Sequence, residues 1–297
     1  MAALLTTPHA LDPAVAEKET RLIAWFRSHG SVLIGFSGGV DSAYLACVAI
    51  EAVGAASVLA VIGRSASYPE AQWARAREVA DRFGIPVFEL DTDEMNDPRY
   101  AANPTNRCYF CKTELWSKLV PVARARSLAV VADGTNFDDL ADYRPGAQAA
   151  REHAVQSPLA ELGFTKDDIR ALSRVRDIPT WAQPSSPCLS SRLPHGIEVT
   201  PLRLRKVEQA EHALRALGIT GNLRVRFHDT TARLEMDVDQ LAHWGATERH
   251  AAVRDAVLAA GFARVELDLR GFRSGSLNAL VRGERTDARV LDLTETR

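Results

Sequence analysis

The stretch SVLIGFSGGVDS, residues 31–42, decides the fold of this chain. Its first half is a short apolar run of the kind that forms a buried parallel strand. Two glycines and two serines follow, and Tyr44, Leu45 and Val48 then recur at helical spacing. Glycines let a backbone approach a phosphate closely, and the free N–H groups at a helix start are hydrogen-bond donors. The stretch therefore predicts a strand, a phosphate-binding loop and a helix.

This loop supplies the first set of predicted ATP and pyrophosphate ligands. They are Ser37, Gly38, Gly39, Asp41 and Ser42. Asp41 carries a carboxylate, which suits a magnesium ion beside a phosphate, so we also predict it to be catalytic. The Gly-Lys-Ser/Thr ending of a Walker A loop is absent. The alternative interpretation is a tight strand–helix turn without a ligand.

Outward from the loop, strand-like and helix-like segments alternate four times, which is typical of an open parallel α/β sheet. Later predicted strands cover residues 57–62, 86–91 and 128–133. After about residue 180 a Pro/Ser-rich segment precedes a long amphipathic helix and alternating strand patterns. We predict an α/β domain with a smaller C-terminal α+β domain. The predicted units are residues 1–180, a linker or loop at 181–200, a second domain at 201–284 and a polar tail at 285–297.

The composition narrows the function classes. Of 297 residues, 46% are hydrophobic and 25% are charged, which excludes a disordered or fibrous chain. The net charge of −2 argues against a generally basic nucleic-acid-binding surface. No window holds eighteen apolar residues, and no basic-then-apolar leader is visible. Four cysteines are too few for a disulfide scaffold, so we expect a cytoplasmic protein.

An acidic loop, DGTNFDDLADYRPG, follows the fourth predicted strand. Open sheets bind ligands at the carboxyl ends of their strands. We therefore predict that Gly134, Asp138, Asp139 and Arg144 take part in ATP binding, with Asp142 in the same acidic group. The alternative is a solvated helix start, where acids favour the positive end of the dipole.

Three cysteines are placed for chemistry. Cys108 and Cys111 are spaced i, i+3, on one side of a helical turn, and the cations Arg107 and Lys112 flank them. Cys188 lies in the Pro/Ser-rich segment. A CxxC pair by itself fits a redox pair, half of a zinc site or an iron–sulfur site. The fourth cysteine, Cys47, is predicted to be packed core.

Two arginines mark a second anion site. Arg224 and Arg226 alternate on one predicted strand, so both side chains face the same side. A phosphate or carboxylate between them would relieve their repulsion. The alternative is an exposed strand face with unlinked arginines. Glu235 on the next strand is predicted to balance the pair or, as a weak candidate, to hold a metal.

The motifs together resemble the LarE family of the ATP pyrophosphatase, or PP-loop, superfamily. They are SGGVDS, NRCYFCK at 106–112, DGTN at 133–136, CLSSR at 188–192 and RVR at 224–226. The resemblance covers about residues 15–280. It implies an adenine nucleotide alpha hydrolase-like, PP-loop fold for residues 1–180 and a substrate and oligomerisation role for residues 201–284.

The resemblance also implies an activity. LarE-type proteins use ATP, which is cleaved to AMP and pyrophosphate, to thiolate the carboxylates of pyridinium-3,5-biscarboxylic acid mononucleotide. The product is the precursor of the nickel-pincer nucleotide cofactor. By the same resemblance, Arg224, Arg226 and Arg192 would bind the substrate phosphate. The implied partners are a small-molecule nucleotide, a second copy in a homo-oligomer and a sulfur donor, with neither nucleic acid nor membrane.

The family supplies two roles for the cysteines. In its single-cysteine members, the residue matching Cys188 gives up its own sulfur and becomes dehydroalanine. Members with three cysteines resemble proteins in which a [4Fe-4S] cluster carries an extra sulfide, and this chain has that pattern in Cys108, Cys111 and Cys188. We predict all three to be catalytic and to be iron ligands; the alternatives are a sacrificial or persulfide Cys188 and purely structural cysteines.

Two other functions remain open from the sequence. A PP-loop tRNA thiolase would use a similar loop and a CxxC pair, but it would need an RNA-binding face. A nucleotide-binding protein without turnover would keep the loop and need no sulfur chemistry. The cysteines and the loop together favour an enzyme of the sulfurtransferase class.

Overall fold

The computed structural model describes residues 11–141, 144–273 and 289–294. The helices are Pro13–His29 (α1), Val40–Val53 (α2), Glu70–Phe83 (α3), Pro98–Ala101 (α4), Arg107–Ala125 (α5), Pro145–Glu152 (α6), Pro158–Glu161 (α7), Lys166–Val175 (α8), Pro201–Ala216 (α9), Val238–Trp244 (α10) and Thr247–Ala259 (α11). The strands are Val32–Gly35 (β1), Val58–Arg64 (β2), Val87–Asp91 (β3), Val130–Ala132 (β4), Leu223–His228 (β5), Thr231–Met236 (β6), Arg264–Asp268 (β7) and Val290–Asp292 (β8).

The first sheet is parallel throughout, with the strand order β3-β2-β1-β4. Strand β1 lies between β2 and β4, and its residues Val32, Leu33 and Ile34 are fully buried because helices cover the sheet. The open parallel α/β sheet predicted from the sequence is confirmed. Its topology brings the segments after β1, β2 and β4 to one edge, where the site lies.

Helix α2 anchors this edge to the core. Its first nine residues after the cap are buried apart from Asp41, which keeps a partly exposed carboxylate. Cys47 is among the buried residues, and burial raises the pKa of its thiol to about 12. A buried, protonated thiol packs as a small apolar group, so Cys47 takes the core position that the sequence predicts.

The second sheet is mixed, with the order β5-β6-β7-β8. Strands β5 and β6 form an antiparallel pair, β6 and β7 are parallel, and β8 runs antiparallel to β7. Strand β8 falls within residues 285–297, which the sequence analysis assigns to a polar tail, so part of that segment is an edge strand instead. The α+β pattern predicted for the C-terminal region is confirmed.

A hydrogen bond joins a helix of the N-terminal half, α3, to a helix of the C-terminal half, α9. Glu208 on α9 accepts a hydrogen bond from the backbone N–H of Glu70 at 2.7 Å, which satisfies one of the free donors at the start of α3.

None of the described helices is long and apolar enough to cross a membrane.

Candidate functional site

The phosphate loop is held by hydrogen bonds among its own residues. The hydroxyls of Ser37 and Ser42 lie 3.2 Å apart, and the Gly39 N–H donates to Ser37 Oγ at 3.4 Å. Gly38 has a φ of +69°, and a Cβ there would lie 2.5 Å from Cβ of Ala76, so only glycine fits. Gly39 begins α2 without a side-chain cap, which leaves the first-turn N–H groups as donors for an anion.

Two side chains from the region after β2 form hydrogen bonds with the backbone of the phosphate loop. Tyr68 donates its hydroxyl to the Ser37 carbonyl at 2.9 Å, and Gln72 donates its amide to the same oxygen at 2.8 Å. Because both groups act on one carbonyl, the turn that precedes the glycines is fixed before any ligand binds.

Two polar side chains contact the Asp41 carboxylate, one at each oxygen. The Lys166 ammonium forms an ion pair with its carboxylate, and Asn136 donates to the other oxygen at 3.3 Å. Lys166 lies in this candidate site, although the sequence analysis does not name it. Its signal was the sequence TKDD at 165–168, which forms a capping box at the start of α8 and so fixes the lysine next to the acidic loop.

The acidic loop after β4 lies against the phosphate loop. A Cβ on Gly134 would lie 2.9 Å from the Ser42 backbone nitrogen, so the two loops touch through their backbones. Asp139 forms an ion pair with Arg144 at 2.6 Å, and burial raises the pKa of its carboxyl despite that cation. Asp138 accepts from the Lys166 backbone N–H at 2.8 Å. Asp142 lies outside the described residues.

The cysteine site begins at the first turn of α5. Cys108 and Cys111 lie on this turn, as the i, i+3 spacing predicts, and Cys188 immediately precedes a 3-10 turn at Leu189–Arg192. Arg107 ties the two segments together, since its buried guanidinium donates to the Ser190 carbonyl at 2.8 Å.

The three sulfurs influence one another. Burial, and then Glu94 and Cys188, raise the pKa of the Cys111 thiol. The surrounding protein also raises the pKa of Cys108, first by desolvation and then through Cys188, although this residue keeps an exposed surface. Burial opposes the charge of Arg107, but Cys188 and Cys108 raise its pKa overall. The structure therefore brings the three cysteines to one site around a buried cation.

A buried carboxylate, that of Glu94, also belongs to the surroundings of Cys111. Glu94 is 2% exposed and accepts a hydrogen bond from the Ser67 hydroxyl at 3.1 Å. The Ser67 carbonyl accepts in turn from the Leu189 N–H at 2.8 Å, next to Cys188. No three His, Cys, Asp or Glu side chains within the described ranges are arranged to hold a metal ion. The predicted [4Fe-4S] site therefore gains no support from this arrangement.

The predicted substrate arginines have different surroundings. Arg192 is buried and forms a two-pronged ion pair with Glu211, with both distances at 2.9 Å. Arg226 pairs with the buried carboxylate of Glu235 at 2.8 Å. Glu235, the weak candidate for a metal ligand, is thus an arginine partner. The alternative of an exposed strand face is excluded, because both faces of β5 are buried.

Arg224 differs from its two neighbours. Among the described residues it donates only to backbone carbonyls, those of Leu223 and Ser185, and its guanidinium lies 5.0 Å from the centre of the Phe272 ring. Burial, and then the charge of Arg192, lower its pKa to about 9. A buried guanidinium without a carboxylate partner is a ready receptor for an incoming phosphate.

Comparison with known proteins connects this geometry to a family. The NAD synthase family model matches residues 25–117, which include the phosphate loop. An uncharacterised protein of Synechocystis is 41% identical over 264 residues, 89% of this chain and 98% of the relative. The pyridinium-3,5-bisthiocarboxylic acid mononucleotide synthase of Lactiplantibacillus plantarum is 33% identical over 264 residues, 89% of this chain and 95% of that enzyme. An uncharacterised protein of Methanocaldococcus jannaschii is 28% identical over 208 residues, 70% of this chain.

Proposed function

Because the chain belongs to the LarE family, that of the Lactiplantibacillus plantarum synthase, we propose that it uses ATP to convert a carboxylate of pyridinium-3,5-biscarboxylic acid mononucleotide into a thiocarboxylate. One observation carries the proposal. The consecutive residues Ser67 and Tyr68 contact both halves of the site, Tyr68 at the Ser37 carbonyl and Ser67 at the residue after Cys188. A phosphate loop and a cysteine-bearing segment that are both held by these neighbouring residues suit activation followed by sulfur transfer.

The first step is adenylation. A carboxylate oxygen of the substrate attacks the α-phosphorus of ATP, the bond to the β-phosphate oxygen breaks, and pyrophosphate leaves. The hydroxyls of Ser37 and Ser42 and the free N–H groups at the start of α2 stabilise the charge on the leaving pyrophosphate. The products are pyrophosphate and an acyl-adenylate whose carbonyl carbon accepts nucleophiles.

A magnesium ion suits this loop. Magnesium needs only one or two protein carboxylates beside substrate phosphates and water, and Asp41 offers one that is partly exposed. When bound, the ion would neutralise charge on the phosphates. Without the ion, the Lys166 ammonium compensates the negative charge of the Asp41 carboxylate, so the carboxylate can stay at the phosphate loop.

The second step transfers sulfur. The Cys188 thiol loses its proton, its sulfur attacks the adenylate carbonyl carbon, and AMP leaves with the electron pair of the broken C–O bond. Loss of the Cα proton of residue 188 then breaks its Cβ–S bond. The electrons of that bond stay on sulfur, which gives a thiocarboxylate and dehydroalanine. This route needs neither an oxidant nor a reductant.

A cluster-borne sulfide would replace Cys188 as the donor in the other route that the family resemblance allows. The cysteines around Arg107 share one site, but they do not form a metal-binding group among the described residues. We therefore derive no step through an iron–sulfur cluster, and the experiment below distinguishes the two sources.

The nucleotide phosphate of the substrate is assigned to Arg224. Its neighbours Arg192 and Arg226 are each held by a carboxylate, whereas Arg224 contacts backbone carbonyls. An arriving phosphate would compensate the one buried guanidinium of the three that lacks a carboxylate. This contact would orient the pyridinium ring and its carboxylates.

The test is a turnover experiment with anaerobically purified protein. Wild-type protein, ATP, magnesium and the dicarboxylate nucleotide should yield pyrophosphate, AMP and thiolated nucleotide. Cys188→Ser should still release pyrophosphate but form no thiolated product, because the phosphate loop does not use the thiol. Cys47→Ser changes a buried cysteine in the middle of α2; it is the matched control and should behave like wild type.

Two further measurements identify the sulfur source. A protein that contains no iron and whose residue 188 loses the mass of one hydrogen sulfide supports the sacrificial route. Iron with acid-labile sulfide, lost in Cys108→Ser and Cys111→Ser, supports the cluster route instead. Thiolated product formed by Cys188→Ser at the wild-type rate would rule out both routes.

A further inference from the structure

One face of α3 lies against the phosphate loop. Gln72, Arg75 and Ala76 share this face because they are spaced i, i+3 and i+4. Gln72 donates to the Ser37 carbonyl at 2.8 Å. Ala76 lies so close to Gly38 that a Cβ on the glycine would approach it to 2.5 Å. Arg75 therefore leaves α3 on the face that carries both contacts with the loop.

Arg75 has no hydrogen-bond or ion-pair partner among the described residues, and its Nε is buried without an acceptor. Arg77, two positions further along the same helix, behaves differently. Its guanidinium lies 3.6 Å from the Asp81 carboxylate and 3.7 Å from that of Glu89. The two arginines thus differ in their partners, although they share a helix and a charge.

The surroundings of Arg75 disfavour its charge. Burial lowers the pKa of its guanidinium, and it acts as a like charge on Arg215, which belongs to the C-terminal half. After burial, Tyr68 has the largest influence on the pKa of Arg75, which places the arginine near the residue whose hydroxyl donates to the phosphate loop. The Glu78 carboxylate, three positions further along α3, offsets only part of this effect, since the pKa of Arg75 is lowered overall. A half-buried cation that no carboxylate pairs directly gains from the negative charge of a ligand.

The phosphate loop itself contains no cation, since residues 37–42 read SGGVDS. Lys166, the basic residue on the other side, is held by Asp41. We propose that Arg75 binds the phosphates of ATP and holds the pyrophosphate as it leaves. A guanidinium suits this task because it presents several N–H donors in a fixed fork that matches phosphate oxygens.

This assignment deepens the proposed adenylation and rests on it. Arg75 stays protonated throughout, so no proton or electron moves through it. Its contribution is charge stabilisation of a leaving group that gains negative charge as the bond to the α-phosphorus breaks. A contact of this kind strengthens in the transition state, so its loss should lower the rate as well as the affinity.

The experiment compares Arg75→Gln and Arg75→Lys with the matched control Arg77→Gln. Binding of inorganic pyrophosphate, ATP and nicotinamide mononucleotide is measured by calorimetry, with thermal unfolding as the check on folding. Arg75→Gln should weaken pyrophosphate and ATP binding about 10- to 100-fold, and Arg75→Lys should weaken it less. Arg77→Gln should bind both like wild type, and no variant should change mononucleotide binding.

Three outcomes would overturn the assignment. They are unchanged pyrophosphate affinity in a folded Arg75→Gln, an equal loss in Arg77→Gln, and a loss confined to the mononucleotide. If Arg75→Gln does not fold, wild-type pyrophosphate affinity in Arg75→Ala or Arg75→Met would overturn it equally. A wild-type protein that binds pyrophosphate but makes no thiocarboxylate would contradict the proposed function while leaving the Arg75 assignment intact.

Discussion

The phosphate loop and the arginine cluster (Arg192, Arg224 and Arg226) both carry groups that can bind anions, but the chain assembles them in different ways. The loop is built within six consecutive residues, and its hydrogen bonds join Ser37 to Ser42. The arginine cluster combines a 3-10 turn with β5, and its counter-charges come from α9 and β6.

The difference shows whether the role of a side chain depends on its neighbours in sequence or on partners that the fold brings to it. In the loop, glycine geometry and a helix start create the anion site, so the local sequence predicts it, although Tyr68 and Gln72 add contacts from further along the chain. In the arginine cluster, the role depends on a partner far along the chain. Glu211 and Glu235 hold two of the guanidiniums and leave the third to backbone carbonyls.

The largest effect is expected from Asp41→Asn. Pyrophosphate release should fall about a thousandfold, because the loop loses its charged carboxylate beside the phosphates. The Asp41–Lys166 pair is partly exposed, so the free energy of unfolding should change by less than about 1 kcal/mol. Asp81→Asn, which alters an exposed pair on α3, is the control. Wild-type pyrophosphate release in Asp41→Asn would contradict the role of the loop.

Arg226→Ala separates a structural arginine from a binding one. It should lower the free energy of unfolding by about 3 kcal/mol, because the buried Glu235 carboxylate loses its guanidinium. Urea denaturation measures this change. The double variant Arg226→Met, Glu235→Leu should recover most of the stability, since no buried charge remains. A single variant as stable as wild type would show that the ion pair does not support the fold.

Arg224→Ala should act on binding and leave stability near the wild-type value. The affinity for a pyridinium mononucleotide should fall about 10- to 100-fold, while ATP affinity stays the same. The reason is that Arg224 lacks a carboxylate partner among the described residues and belongs to β5 of the C-terminal sheet, whereas the phosphate loop follows β1. Calorimetry checks both affinities. Weaker ATP binding instead would assign Arg224 to the other site.

The pH dependence of mononucleotide binding gives a smaller and graded effect. Arg224 has a pKa of about 9, so its guanidinium is charged below that pH and loses its proton above it. Because the charged guanidinium binds the phosphate dianion, affinity should be level from about pH 7 to about pH 9 and then fall, by at most about tenfold per pH unit. Burial is the main cause of this lowered pKa; of the charged groups that face Arg224, Arg192, Arg226 and Arg215 lower the pKa further and Glu211 raises it. Arg224→Ala should remove this pH dependence. A level affinity profile above pH 9 in the wild-type protein would contradict the assignment of the phosphate to Arg224.

The same contrast explains what the sequence could predict. Residues 31–42 predict β1, the loop and α2 because strand, turn and helix signals follow one another without a long-range term. The sequence does not point to Lys166 as a site residue, because its partner Asp41 lies 125 positions away and only the fold brings the two together. The sequence analysis predicts one role, phosphate binding, for Arg192, Arg224 and Arg226. Residue type and spacing do not reveal that Glu211 pairs with Arg192 and Glu235 with Arg226. The convergence of Cys188 with the α5 cysteines was predicted from family resemblance, because it joins distant segments.

An oxygen-18 experiment tests carboxylate adenylation most directly. The substrate carboxylates are labelled with oxygen-18, and AMP from a single turnover is analysed by mass spectrometry. Attack of a carboxylate oxygen on the α-phosphorus, followed by displacement of AMP by sulfur, predicts one labelled oxygen in the phosphate of each AMP. Unlabelled AMP formed together with thiolated product, or ADP and inorganic phosphate in place of AMP and pyrophosphate, would contradict the account.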